Sequence, residues 1–169
     1  MNIPAQLFGM GAMVSLFLIY QQKTRKGMLF AKLSADIFWV MHYFLLRAYA
    51  GMIPNGVGIL REIIFIQRKN KKWANHIIFP ILFIIINWVL GFKISASVYN
   101  LLPIVASTAV TISLWIDRPR LTKMISVPVS LAFMVYDIFV LSYVGIINEA
   151  IAICSIIIYF LKEKKNVHQ

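Results

Sequence analysis

Only six carboxylate side chains occur in this chain of 169 residues, against 17 lysines and arginines, and there is a single cysteine. The lone thiol, Cys154, excludes an intramolecular disulfide and reads as a packing residue within an apolar run. His42, His76 and His168 are scattered, and three histidines with one cysteine make no metal-binding spacing, so neither a metal nor a cofactor is expected. No Ser-His-Asp spacing, paired-carboxylate motif or His-Glu metal motif lies within the apolar segments, so the chain is not expected to be an enzyme. The first twenty residues, MNIPAQLFGMGAMVSLFLIY, lack the basic start and small-residue cleavage site of a secretory signal, which predicts a retained helix.

What is present is apolar. The hydrophobic share is 60% and the mean hydropathy +0.79, against roughly 45 to 50% apolar residues in a soluble domain. A 19.4 kDa globule has too much surface to hide such a composition, so the lipid bilayer is the expected solvent. The net charge of +11 does not point to nucleic acid, because the basic residues fall between apolar runs and not along one helical face. Those runs, at 3–20, 31–50, 54–67, 75–91, 97–116, 123–144 and 147–161, predict seven transmembrane helices, several of them short for a bilayer. Every second connection is basic: Lys23, Arg25, Lys26 and Lys32; Arg68, Lys69, Lys71 and Lys72; Arg118, Arg120 and Lys123; Lys162, Lys164 and Lys165. Because Lys and Arg in short loops resist translocation, this alternation predicts an outside N-terminus and a cytoplasmic C-terminus. Trp73, Trp88 and Trp115 fall at run ends, where indoles favour the headgroups. Trp39 falls within the second run.

Shifting the chain by about 94 residues brings its halves into phase. QLFGMGA from Gln6 lies over NLLPIVA from Asn100, HYFLLRAYAG over YDIFVLSYVG, and Asn55 over Glu149. Two three-helix units that both begin outside need one extra crossing between them, a role suited to HIIFPILFIIINWVL with Asn87 as its central polar group. The expected fold is therefore an all-α membrane protein with seven transmembrane helices in a 3+1+3 arrangement. It comprises a first bundle over 1–70, a linker helix over 71–95, a second, parallel bundle over 96–164 and a cytoplasmic tail over 165–169.

HYFLLRAYAG with Arg61 downstream, LLPIVAST from Leu101 and YVGIINE ending at Glu149 resemble the YgjV family of bacterial inner-membrane proteins. The arrangement also resembles the SWEET and PQ-loop superfamily of 3+1+3 transporters. These resemblances imply a bacterial cytoplasmic-membrane location and a transporter architecture. The Pro-Gln dipeptide of PQ-loop helices is missing. Gly9 matches Pro103 across the repeat, and Ser34 matches Pro128, so a hinge of four matched prolines is not expected.

An ionisable side chain at the bilayer centre costs at least about 2.5 to 3.5 kcal/mol and therefore turns inward toward a partner or water. At 100° per residue, Asp36, Trp39, His42, Tyr43 and Leu46 share one face of the second helix. Asp36 is expected to pair with Lys32 near the inner boundary. Counted from the ends of the apolar runs, His42, Tyr43, Arg61, Glu62 and Asp137 share one layer roughly 10 to 12 Å below the outer surface. Trp39, His42, Tyr43, Arg61, Tyr136 and Asp137, with Asn100 above them, are the expected lining of a substrate site between the bundles. Arg61 and Glu62, being adjacent, are not expected to satisfy each other well, and a packing network of Arg61 with Asp137 or with Glu62 is the competing reading. Asn55 and Glu149 are expected as N-terminal caps or gates. Gly9, Gly11, Gly56 and Gly58 read as helix-packing positions. The function these residues suggest is transport of a small solute, facilitative or proton-coupled, with an accessory membrane subunit as the alternative. The expected partners are a small-molecule substrate and the bilayer, and a homodimer is an allowed assembly.

Overall fold

The computed structural model describes residues 2–21, 25–94, 97–116 and 118–167. Lys23 and His168 lie outside this set, as do the side chains of Arg25, Lys162, Lys164 and Lys165. Among the described residues are seven α-helices and no strand: α1 (Ile3–Gln21), α2 (Arg25–Leu45), α3 (Tyr49–Gln67), α4 (Ile78–Ile94), α5 (Leu102–Ile116), α6 (Pro119–Phe139) and α7 (Tyr143–Val167). Short 3-10 turns at Lys72–Asn75 and Val98–Leu101 precede α4 and α5. Four segments, Lys26–Leu45, Val98–Ile116, Arg120–Phe139 and Tyr143–Leu161, are long and apolar enough to span a membrane.

Consecutive helices pack on each other. The most extensive contacts join α1 to α2 and α2 to α3, then α6 to α7 and α5 to α6; α4 lies against α3 and α5, and α3–α5 and α1–α7 contacts close the circuit. One apolar core gathers Ala12, Ala35, Trp39, Tyr43, Ala48, Ala50 and Tyr136. A second, with Leu29, Ile53, Val57, Phe65 and Phe83, joins α2, α3 and α4. Helix α4 approaches α5 closely because Gly91 has no side chain; a Cβ there would overlap Ile104. The amide of Asn87 donates to Ser107 at 2.8 Å and the indole of Trp88 to Thr108 at 3.1 Å along the same seam.

The helix ends differ from the apolar runs. Helices α2 and α6 stop at Leu45 and Phe139, and α3 and α7 start at Tyr49 and Tyr143, so each connection is a tight turn inside one of the predicted apolar runs. Hydropathy runs straight through it because the turns are built from Leu46, Ala48, Val140 and Leu141. Both turns use the same device. Among the described residues, Arg47 (φ 57°) and Leu141 (φ 55°) are the non-glycine residues with a left-handed backbone. The amide of Ala48 reaches back to the carbonyl of Tyr43 at 2.8 Å, and that of Ser142 to Asp137 at 2.9 Å. These are the six-to-one bonds of a Schellman helix terminus, which satisfy carbonyls that the helix end would leave unpaired. The two turns, and the bounds of α2 and α6, recur at the 94-residue spacing that separates Tyr43 from Asp137.

A left-handed backbone strains any residue with a Cβ, and the side chain of Leu141 is largely exposed at 61%, so little packing is lost by removing it. Leu141→Gly is expected to raise stability by about 0.5 kcal/mol and Leu141→Val, β-branched, to lower it. Equilibrium unfolding of the two variants in detergent reads the difference.

Candidate functional site

The polar residues of the helices form two clusters at different depths, not one layer. One cluster, called outer for its place at the helix ends and not for a side of the membrane, lies where α2 and α6 end; the other, deeper along the helices, is called inner. Tyr43 donates its hydroxyl to Asp137 Oδ1 at 2.8 Å. His42 Nδ1 lies 2.7 Å from the carbonyl of Ala5, and Nε2 lies 2.7 Å from the hydroxyl of Ser142. A carbonyl can only accept, so the ring proton sits on Nδ1, and in the neutral ring Nε2 accepts from Ser142. The Tyr136 hydroxyl donates to the carbonyl of Ala48 at 3.1 Å and accepts from the amide of Gly51 at 2.9 Å. Trp39 stacks on Tyr43 with centroids 5.7 Å apart, and Tyr43 lies 5.9 Å from Tyr136. His42, Tyr43, Tyr136 and Asp137 are all buried. Glycines make this approach possible: a Cβ at Gly51 would crowd the rings of Tyr136 and Tyr43, and one at Gly145 would overlap Asp137 and Ser142.

These contacts are reciprocal. In the 94-residue register, Tyr43 and Asp137 are equivalent, His42 corresponds to Tyr136, and Ala48 to Ser142. His42 reaches the turn at Ser142 while Tyr136 reaches the turn at Ala48, and the equivalent pair Tyr43 and Asp137 meets directly. Contacts of this form, where i meets j and j meets i, are those a two-fold axis generates.

The inner cluster is ionic. Lys32 Nζ lies 2.9 Å from Asp36 and 3.6 Å from Glu62, and Arg61 Nη2 lies 3.1 Å from Glu62 and 4.0 Å from Asp36. Arg61 also donates to the Thr111 hydroxyl of α5 at 2.8 Å. Two cations thus balance two carboxylates inside the protein. Gly58 leaves the room for this: a Cβ there would overlap the Asp36 carboxylate.

Several expectations are corrected by these positions. Arg61 does not meet Asp137. Helix α3 begins at Tyr49 and not near Asn55, so Arg61 lies about 18 Å along it, whereas Tyr43 and Asp137 lie about 3 Å from the ends of α2 and α6. Arg61 and Glu62 do bond each other, because the long guanidinium folds back while its other nitrogen crosses to Thr111. The Lys32–Asp36 pair lies well inside α2, Asp36 being about 17 Å from the start of the helix, and not at its inner boundary. Asn55 and Glu149 cap nothing: each lies about 9 Å inside its helix, and the Asn55 amide donates to the carbonyl of Gly51 at 2.7 Å. Asn100 sits half-buried in the 3-10 turn before α5. Its neighbour Tyr99 is the residue that reaches the outer cluster, 6.4 Å from Tyr136. Sequence reasoning missed Ser142, Thr111 and Gln6, whose side-chain Oε1 accepts from the main-chain amide of Val144 at 3.2 Å. Uncharged residues of this kind carry no cost in an apolar run large enough to mark them.

A cleft of about 310 Å³ opens above the outer cluster, lined by Leu45, Leu46 and Arg47 of one turn and Val140, Leu141 and Tyr143 of the other. Leu46 and Val140 also pack on the core of Trp39, Tyr43 and Tyr136 and so form the floor between the cleft and that cluster. The outer cluster retains an open valence: Asp137 Oδ2 is buried without a hydrogen-bond partner, and the same holds for Glu62 Oε2 in the inner one.

Removing one partner from a buried charge network leaves another unmatched. Arg61→Met is expected to cost about 3 to 5 kcal/mol, and the double variant Arg61→Met with Glu62→Leu to recover most of that loss. Equilibrium unfolding of both variants checks it; equal losses would mean that the two charges do not stabilise one another.

A family model described as a bacterial inner membrane protein, Imp-YgjV, matches residues 3–166. No curated protein and no solved structure matches the chain. With seven helices, apolar spans and a match over nearly its whole length, the chain belongs to the YgjV family of bacterial inner membrane proteins.

Proposed function

We propose that the chain is a small-solute membrane transporter and not an enzyme. In this reading α1–α3 and α5–α7 are two parallel three-helix units joined by α4, in the 3+1+3 manner of SWEET and PQ-loop transporters. The N-terminus is outside and the C-terminus cytoplasmic. The observation that carries the reading is the direct bond between the equivalent residues Tyr43 and Asp137 at the seam, with the second oxygen of Asp137 unpartnered. Parallel repeats with a polar site between them are a recurring transporter plan, and an ionisable residue within a membrane is a functional group by default.

The solute enters through the cleft between the two turns, and separation of the turns breaks the contacts of Tyr43, His42 and Tyr136 with the opposite unit. Asp137 then offers a charged or hydrogen-bonding partner, His42 a base, and Trp39, Tyr43 and Tyr136 aromatic faces suited to a ring or a sugar. Asn100 lies beside Tyr99 at the rim. In the helices below, Arg61 with Lys32, Asp36 and Glu62 forms the second polar station, and Asn55 and Glu149 lie between the two levels. A vitamin, sugar or similar metabolite matches the size of the cleft. Transport is facilitative or proton-coupled.

One observation favours a second reading, an accessory subunit without transport: the outer cluster is closed by short bonds and by glycine contacts that fix its packing. The two readings separate in a thermal-shift screen of the purified protein against sugars, vitamins and nucleosides. A bound solute at a hundred times its dissociation constant stabilises the folded form by about 2.7 kcal/mol. Under the transport reading one class raises the melting temperature, and Tyr43→Phe and Asp137→Asn abolish uptake of that class into vesicles while the variants still fold. Failure of every class to shift the protein, with loss of folding in Asp137→Asn, favours the accessory reading.

A further inference from the structure

Of the carboxylates described within the helices, Asp36 and Glu62 are matched by Lys32 and Arg61. Asp137 and Glu149 are bonded instead by neutral groups. Asp137 accepts from Tyr43. Glu149 accepts from the amide of Asn148 at 3.0 Å. A carboxylate held out of water without an ion-pair partner is favoured in its protonated, neutral form. The two unmatched groups also follow one another in depth. Asp137 lies about 3 Å from the outer end of α6, and Glu149 about 9 Å below the start of α7. Asp36 lies about 14 Å below the end of α2, and Glu62 about 20 Å below the start of α3. Glu149 therefore stands between the outer and inner clusters. The titratable and charged groups within its electrostatic reach are Tyr43 and Lys32 on α2 and Asp137 on α6.

We infer that Glu149 is a proton-binding carboxyl that passes protons between Asp137 and the Lys32–Asp36–Glu62 cluster, and that the ion coupled to solute movement is the proton. This rests on the transport reading and deepens it by naming the ion. In the transfer, the protonated acid of Asp137 becomes a carboxylate and the carboxylate of Glu149 becomes an acid, so neither net charge nor proton number changes. The mirror position in the first unit is Asn55, whose amide does not titrate, so the intermediate station exists on α7 alone.

Dicyclohexylcarbodiimide, an apolar reagent that attacks protonated carboxyls, tests the inference on the intact protein in sealed membrane vesicles, with adducts located by mass spectrometry. The expected adduct is on Glu149, falls as pH rises, and is absent in Glu149→Gln. Acidifying only the face that carries the cleft is expected to raise labelling several-fold, and Asp137→Asn to lose that response. Should Asp137→Asn not fold, Ser142→Ala, which removes a neighbour of the same carboxylate, serves in its place. An adduct missing from Glu149, one indifferent to pH, or a full response in the folded Asp137 variant would overturn the inference. No solute is needed, so a silent Glu149 alongside a positive solute screen removes the proton path alone. A titrating Glu149 without any solute hit leaves the proton site standing and removes the transport reading.

Discussion

A charge in hydrocarbon has to be matched or removed, and the interior of this protein is organised by the two ways of doing so. In the inner cluster, lysine and arginine face aspartate and glutamate, and the group as a whole is neutral. In the outer cluster, the carboxylate of Asp137 is bonded by the Tyr43 hydroxyl, and the imidazole of His42 and the hydroxyl of Tyr136 bond neutral partners nearby. The helix that carries both a buried arginine and a buried glutamate, α3, is not among the four segments apolar enough to cross a membrane by composition. It is held between α2, α4 and α5, so its ionic face meets protein and not lipid. The glycines follow from the same constraint, since Gly58 and Gly145 stand where a side chain would push the carboxylates of Asp36 and Asp137 from their partners.

The two halves share a backbone plan and differ in chemistry. Helices α2 and α6 have equal length, and both lead into a left-handed turn. Across the register, however, His42 faces Tyr136, Tyr43 faces Asp137, and Asp36 corresponds to Ser130. The ionic cluster therefore belongs to the first half alone, while the second half contributes the outer carboxylate and Glu149. The seam thus brings a base, His42, from one half close to an acid, Asp137, from the other.

Much of the fold was legible in the sequence because it depends on properties with a long reach along the chain. Apolar runs separated by alternating basic loops gave seven helices, and the 94-residue offset is repeated in the helix bounds and turns. The misreadings are local. Apolar turns at Leu46–Ala48 and Val140–Ser142 cannot be told from helix by hydropathy, so α3 and α7 were started too late, and every depth counted along them shifted. That single error merged two clusters into one layer and turned Asn55 and Glu149 into caps. Which neutral hydroxyls would complete the site, Ser142 and Thr111 among them, could not be read from a chain in which such residues are inexpensive anywhere inside a helix.

The bond between Tyr43 and Asp137 differs in kind from those around it. Contacts away from a rotation axis come in couples, as His42 with Ser142 and Tyr136 with Ala48 do, and loosening one leaves its counterpart holding. A contact between equivalent positions sits on the axis and has no counterpart. Loss of that one bond is therefore felt by both halves at once, while the couples on either side of it still hold.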